Sequence, residues 1–170
     1  LQKFGVRQGT ALDWSGEPSG TYHEVADWDN QTYYTTTFGQ AFTVTPTQVL
    51  SVFQTIANGG VRLPASLVES CTQADGTVTT PDEPDPVQVI KPDTAAQVSQ
   101  MLENVYAQGT LAQDINIPGY RLAVKTGTAQ VPDGAGGYKD GLYMTSLAGF
   151  APADDPQYVV LTLFDEPKTN

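Results

Sequence analysis

Cysteine, histidine and basic side chains are scarce in this 170-residue chain, and each scarcity argues against a class of function. The single cysteine, Cys71, can form no intrachain disulfide and cannot build a cysteine-based metal site. Because His23 is the only histidine, a zinc site is not expected. Eight Lys and Arg residues against nineteen Asp and Glu give a formal charge of −11. Nucleic-acid binding is therefore not expected, since phosphate recognition needs clustered positive charge.

Long apolar runs are also missing. No stretch approaches the roughly 18 consecutive apolar residues that a transmembrane helix requires, and residues 1–10 lack the charged and apolar blocks of a signal peptide. If the parent protein has a membrane anchor, we expect the anchor to lie outside this chain. A hydrophobic content of 39% over 170 residues is nevertheless sufficient for one globular domain, or for one large piece of a domain.

Two segments carry the signals of helices. A Thr at the N-cap and a Pro at the first helical position predict a helix that starts at Thr45-Pro46, and "NGG" at 58–60 predicts its end. A second helix is predicted from a cap at Asp93 to Gly109. Its apolar stripe, which we expect to face the core, comprises Val98, Met101, Leu102, Val105 and Tyr106.

The rest of the chain divides into loops and strands. Residues 1–37 are expected to be mostly loop, a small hairpin is expected to turn at Asp75-Gly76, and 110–115 is expected to add a helical turn. Short connections join three extended segments into a predicted antiparallel meander: 121–130, 142–151 and 157–164. The predicted class is α+β, an antiparallel sheet covered by helices.

The stretch "AVKTGTAQVP" at 123–132 places a lysine inside a predicted strand, where an unpaired ammonium is costly unless it lies at an edge or has a function. Side chains alternate along a strand, so Thr126 and Thr128 face one side while Lys125 and Gly127 face the other. Gly127 would let a ligand or another backbone come close. Two hydroxyls and an ammonium at an edge could bind an anionic, peptide-like substrate that pairs as an added strand. A plain surface lysine at a strand end is the alternative.

Four blocks, taken together and in order, resemble the transpeptidase domain of the class B (monofunctional) penicillin-binding proteins, acyl-serine enzymes that cross-link peptidoglycan. Lys-Thr-Gly is one of the three motifs of that superfamily. The blocks are "FGQAFTVTPTQVLSVFQTIANGG" at 38–60, "VYAQGTLAQD" at 105–114, "VKTGTAQ" at 124–130 and "GYKDGLYMTSLAGFAPADDPQYVVLTLFDEP" at 137–167.

The resemblance implies roles for five residues on the lysine strand. Lys125, Thr126 and Gly127 would belong to the catalytic motif, and Thr126, Thr128 and Gln130 would bind the substrate. The backbone N–H of Thr128 would be an oxyanion-hole donor. The implied partners are the peptidoglycan stem peptide and β-lactams as inhibitors, with no cofactor or metal. The implied location is the extracytoplasmic face of the bacterial cell membrane.

Two family motifs are missing from the chain. No serine begins Ser-x-x-Lys, and no serine has Asn two places on. We therefore expect 1–170 to be the C-terminal part of a single transpeptidase domain, inactive alone, with the N-terminal part present as another chain or as a cleaved piece. Two alternatives remain: a β-lactamase or β-lactam-sensing receptor domain of the same fold, and a non-catalytic binding or scaffold module.

Overall fold

The computed structural model of the chain describes residues 1–10, 12, 14–82, 84–110, 112 and 115–168. Helices pack against a three-stranded antiparallel sheet, which confirms the predicted α+β class. The described residues of the segment 1–37 form mainly loops, with short 3₁₀ turns and the helix α1 (Asn30–Thr36). Within the described residues, no helix combines the length and the apolar character that crossing a membrane would require.

Helix α2 (Pro46–Ala57) begins and ends where the sequence predicts. The Thr45 hydroxyl accepts a hydrogen bond from the Gln48 backbone N–H at 3.2 Å, and the Gln48 side-chain oxygen accepts one from the Thr45 N–H at 3.0 Å. This reciprocal capping box satisfies two N–H groups that a helix N-terminus otherwise leaves unpaired. Gly59 and Gly60, with φ of 62° and 89°, end the helix in the left-handed conformation that glycine tolerates.

Helix α3 (Pro92–Gln108) corrects one prediction about its start. The N-cap is Lys91, not Asp93. Lys91 is extended, with φ of −65° and ψ of 148°, because the ring of Pro92 disfavours a helical conformation in the residue before it. Asp93 instead lies in the first turn, where its charge complements the helix dipole. The predicted end at Gly109 is confirmed.

The predicted core stripe of α3 is only partly buried. Leu102 packs against the core cluster, but Met101 is 62% exposed. The prediction that Met101 belongs to the core is therefore wrong for this chain, because the residue lies on a part of α3 that no described element covers.

Two small antiparallel pairs connect α2 to α3. Their partners are β1 (Val61–Arg62) with β4 (Val87–Gln88), and β2 (Cys71–Thr72) with β3 (Val78–Thr79). The second pair is the predicted hairpin, turning through Asp75 and through Gly76 at φ 86°. Three of the six positions of the additional helical turn expected over 110–115 lie outside the described residues.

The main sheet is the predicted meander. Its strands are β5 (Ala123–Pro132), β6 (Tyr138–Ala151) and β7 (Tyr158–Asp165), in the spatial order β5-β6-β7. Each neighbouring pair is antiparallel, and the β5–β6 register shifts at a bulge between Gln130 and Pro132. Strand β5 is therefore an edge strand in the described part of the chain, as the lone lysine had suggested.

The core lies where the helices meet one face of this sheet. Ala123 and Phe150 are directly opposite each other on β5 and β6, and both are buried. The core cluster consists of Ala123, Phe150 and Ala153, packed against Phe53, Ile56, Ala57, Leu102 and Val159. Large apolar side chains elsewhere stay exposed, including Tyr158 at 72% and Phe164 at 59% on β7. The described elements therefore leave considerable apolar surface uncovered.

Candidate active site

The candidate site is the outer edge of β5. Lys125, Thr126, Thr128 and Gln130 are all exposed. One edge of β5 pairs with β6, whereas no strand of the described chain pairs with the other. An unpaired edge presents backbone N–H and C=O groups that can receive an extended peptide as an additional strand. The four exposed side chains predicted for the site therefore lie along an edge of the kind that peptide recognition uses.

Lys125 makes a hydrogen bond to the backbone but forms no ion pair in the described part of the chain. Its Nζ donates a hydrogen bond to the Thr126 carbonyl oxygen at 2.8 Å. No described carboxylate lies within 4.0 Å of this ammonium. An ammonium has three N–H donors, so two remain for other partners. Lys125 can thus bind an anionic or hydroxyl group at the strand edge without first breaking an ion pair.

Strand alternation divides the site between two faces of β5. Lys125 and Gly127 share the face of buried Ala123, which contacts the helices, while Thr126 and Thr128 lie on the opposite face. The two faces meet at the open edge. A ligand lying along that edge can therefore contact the ammonium from one side and the two hydroxyls from the other.

The structure shows a consequence of the missing side chain at Gly127 that the sequence did not reveal. It lies opposite Ser146 on β6, and a Cβ added to Gly127 would be 2.5 Å from the Ser146 Oγ. The next nearest atom, the Ser146 Cβ, would be 3.9 Å away, which is an ordinary contact. The absence of a side chain at 127 therefore makes room for a hydroxyl from the neighbouring strand, besides leaving the strand approachable as the sequence suggested.

An ion pair fixes the chain just before β5. The Arg121 guanidinium donates to both carboxylate oxygens of Glu103 on α3, with Nε at 2.8 Å and Nη2 at 2.9 Å. The Arg121 carbonyl accepts a hydrogen bond from the Ala153 N–H at 2.9 Å. A two-pronged pair of this kind fixes geometry as well as charge. It joins α3 to the start of the lysine strand, a role that sequence reasoning missed because the two partners are 18 positions apart.

The block at 38–60 contains a turn, Gly39-Gln40-Ala41, before α2. Ala41 adopts φ of 66°, the left-handed region in which glycine is favoured. The backbone therefore keeps a glycine-like turn before α2 at the cost of local strain.

The acids of the described residues form no metal centre. No group of three or more His, Cys, Asp or Glu side chains is arranged to hold an ion in that part of the chain. Several carboxylates instead accept backbone hydrogen bonds in turns. The Ala135 and Gly137 N–H groups, for example, donate to Asp133 and lower the pKa of its carboxyl.

An α+β fold with Lys-Thr-Gly on a strand of its sheet points to a class, the penicillin-binding domains, for which Lys-Thr-Gly is one of three motifs. The chain belongs to the transpeptidase family of these proteins, because the family model described as penicillin binding protein transpeptidase domain matches residues 1–170. Its relatives place it with the class B proteins.

Two curated relatives show the extent of the likeness. Penicillin-binding protein PbpB of Mycolicibacterium smegmatis is 38% identical over 99% of this chain and 27% of its own length. Peptidoglycan D,D-transpeptidase FtsI of Escherichia coli is 32% identical over 98% of this chain and 26% of its own length. The chain therefore spans about a quarter of the length of these relatives.

Solved structures give the same fold. Penicillin binding protein 3 of Mycobacterium tuberculosis complexed with aztreonam matches with a TM-score of 0.91 and 37% identity, over 99% of this chain and 39% of that one. The same protein complexed with ampicillin matches with a TM-score of 0.90, over 98% of this chain and 38% of that one. These structures confirm the penicillin-binding transpeptidase fold.

Proposed function

We propose that the chain supplies one wall of the active site of a peptidoglycan D,D-transpeptidase. The observation that carries this proposal is the open edge of β5, where Lys125, Thr126 and Thr128 are exposed and the ammonium has no carboxylate partner among the described residues. Such an edge suits a peptide that ends in a carboxylate, because the backbone can pair with the peptide while the hydroxyls bind its charge. The names of the relatives support the same activity.

The reaction requires a serine from outside these 170 residues. That serine attacks the carbonyl of the penultimate D-Ala, the peptide C–N bond breaks, and the terminal D-Ala leaves with a proton on its amine. The acyl group then passes to an acceptor amine, which releases the serine. In this proposal the backbone N–H of Thr128 stabilises the developing oxyanion, and loss of such a donor typically costs about 10²–10³ in rate.

The side chains of β5 divide the remaining tasks. Thr126 and Thr128 bind the carboxylate of the stem peptide or of a β-lactam, and Gln130 contacts the substrate one step further along. Lys125 holds the hydrogen-bond network beside the nucleophile. Gly127 keeps the strand thin, so that the ligand and the nucleophile can both approach.

In this proposal, the two missing motifs, Ser-x-x-Lys and Ser-x-Asn, belong to an N-terminal part of the same domain. Its support is twofold: the chain spans about a quarter of its relatives' length, and the described sheet leaves Tyr158 and Phe164 exposed. We place the assembled domain at the extracytoplasmic face of the bacterial membrane, where peptidoglycan is cross-linked.

The test is covalent labelling of the complete protein by a fluorescent penicillin. We expect the complete protein to label and the isolated 170-residue chain not to label. Thr126→Val and Thr128→Val should each reduce the second-order labelling rate by about tenfold or more, the size expected for a lost hydrogen bond to a charged group. Thr162→Val is the matched control, since Thr162 is exposed on β7 on the same face as Thr126.

Two results would contradict the proposal. Labelling of the isolated chain would show that no outside serine is needed, and an unlabelled complete protein would favour a non-catalytic module. Rapid hydrolysis of the penicillin by the complete protein would instead indicate a β-lactamase of the same fold.

A further inference from the structure

From Met144 to Phe150, the face of β6 that is shared with Ala123 is apolar except at one position near the site. The residues on this part of the face are Met144, Ser146, Ala148 and Phe150. Ala148 and Phe150 are buried, and Ser146 is half-buried. Among the described residues the Ser146 hydroxyl makes no hydrogen bond, and its Oγ is open to solvent, because no buried side-chain oxygen or nitrogen there lacks a partner. This hydroxyl can therefore exchange water for a hydrogen bond from a neighbouring side chain.

Ser146 lies beside the catalytic motif on the lysine's own face. It is directly opposite Gly127, and its Oγ occupies the space that a Cβ at Gly127 would need. Lys125 pairs with Ala148, so Lys125 and Ser146 are diagonal neighbours on adjacent strands. Diagonal neighbours on one face are within reach of a long side chain.

The donors and acceptors of the two side chains match. Lys125 uses one of its three N–H donors on the Thr126 carbonyl and has no described carboxylate partner. The Ser146 hydroxyl can accept a hydrogen bond from the ammonium and still donate its own proton elsewhere. A hydrogen bond between these two groups would fix the lysine side chain over Gly127, on the face of β5 that the two residues share.

We propose that Ser146 is a positioning residue for Lys125: its hydroxyl accepts a hydrogen bond from the ammonium when the site is assembled, and the absence of a side chain at Gly127 leaves the hydroxyl in its present orientation. This inference rests on the proposed transpeptidase function. It adds to that function a residue from the second strand of the sheet, outside the Lys-Thr-Gly motif.

The first test measures acylation of the complete protein by a fluorescent penicillin, with the acylation rate constant separated from the binding constant. Ser146→Ala should lower the acylation rate constant by about tenfold, the size of a lost hydrogen bond to a charged group, with little change in binding. Ser146→Thr keeps the hydroxyl and should recover most of the rate. Thr162→Val, on the opposite face of β7, should leave both constants unchanged.

The second test uses the packing of Ser146 against Gly127. Gly127→Ala should lower the melting temperature, because the new methyl group meets the Ser146 Oγ. The double variant Gly127→Ala with Ser146→Ala should melt at a higher temperature than Gly127→Ala alone, since the obstructing oxygen is gone.

The outcomes separate this inference from the proposed function. If the wild-type complete protein does not label, the proposed function fails. If the wild type labels but Ser146→Ala matches it, or Ser146→Thr is as slow as Ser146→Ala, the positioning role is wrong. If Gly127→Ala costs the same whether residue 146 is Ser or Ala, the spatial explanation for the glycine is wrong.

Discussion

Gln48 is a buried residue of α2 whose side-chain amide both accepts and donates hydrogen bonds. Its replacement should have a measurable effect on stability. Its exposed fraction is 2%. Its side-chain oxygen accepts from the Thr45 N–H at 3.0 Å, and its Nε2 donates to the carbonyls of Gln8 at 2.9 Å and Ser19 at 3.1 Å. One amide therefore joins the start of α2 to two loops that precede it by 40 and 29 positions.

Replacing Gln48 by Met keeps the volume and removes all three hydrogen bonds. A net contribution of about 0.5–1.5 kcal/mol for each of the three bonds gives an expected loss of about 1.5–4.5 kcal/mol in the free energy of unfolding. Gln48→Glu should cost at least as much near pH 7, because a carboxylate would face two carbonyl oxygens in place of a donor.

The assay is urea-induced unfolding of the complete protein, followed by intrinsic fluorescence. Gln97→Met on α3 is the control, since Gln97 is exposed and makes no side-chain hydrogen bond among the described residues, and it should stay within about 0.5 kcal/mol of wild type. If Gln48→Met also stays within that range, the amide does not hold the loops to the helix and the reasoning is refuted.

Three further predictions concern local backbone and charge. Ala41→Gly should raise the free energy of unfolding by roughly 0.5–1 kcal/mol in urea unfolding, because glycine relieves the left-handed strain at φ 66°; a loss would contradict this. Backbone N–H donors lower the pKa of Asp133. The stability that this carboxylate contributes is therefore present above pH 3.8, its unfolded pKa, and is lost as pH falls through the lower folded pKa. As pH falls, the free energy of unfolding of Asp133→Asn should therefore decrease less steeply than that of wild type. Equal slopes would contradict this prediction. The hydrogen bond and the charge of Glu166 raise the pKa of Lys139. The stability that this ammonium contributes is therefore present below pH 10.5, its unfolded pKa, and is lost as pH rises through the higher folded pKa. Glu166→Gln should flatten the alkaline fall of the melting temperature, and an unchanged curve would contradict it.

Local signals predicted much of the fold. The Thr45 cap, Pro46 and the glycines after Ala57 fix α2 without help from distant residues. Alternation and turn-rich connections predicted the strands of the meander, with ends that shift by a few residues in the structure. These predictions succeeded because capping and strand alternation act over a few neighbouring positions.

The errors and omissions concern long-range packing. The buried residues of α2 are polar, Gln48 and Thr55. Burial of Gln48 depends on carbonyls far away in the sequence, which no local pattern reveals. Met101 fits an apolar stripe by spacing, yet no described element covers it. Asp93 is a good cap by residue type, but the ring of Pro92 moved the cap to Lys91.

The candidate site was predictable in part. The isolated Lys125 indicated an edge strand, and the structure places β5 at the edge of the sheet. The alternation of Thr126 and Thr128 against Lys125 and Gly127 followed from strand geometry. Ser146 was missed because its relation to Gly127 depends on the β5–β6 register. A signal existed in the sequence, since Ser146 interrupts an apolar row at alternate positions of β6.

The central claim is that the edge of β5 binds the substrate carboxylate in a transpeptidase site. The most direct measurement is a crystal structure of the complete protein acylated by ampicillin. We expect the ligand carboxylate to lie within hydrogen-bond distance, about 2.5–3.2 Å, of the Thr126 and Thr128 hydroxyls, with the ammonium of Lys125 beside the acylated serine. A covalently bound ligand whose carboxylate is held by other residues, with no ligand atom at the β5 edge, would contradict the claim.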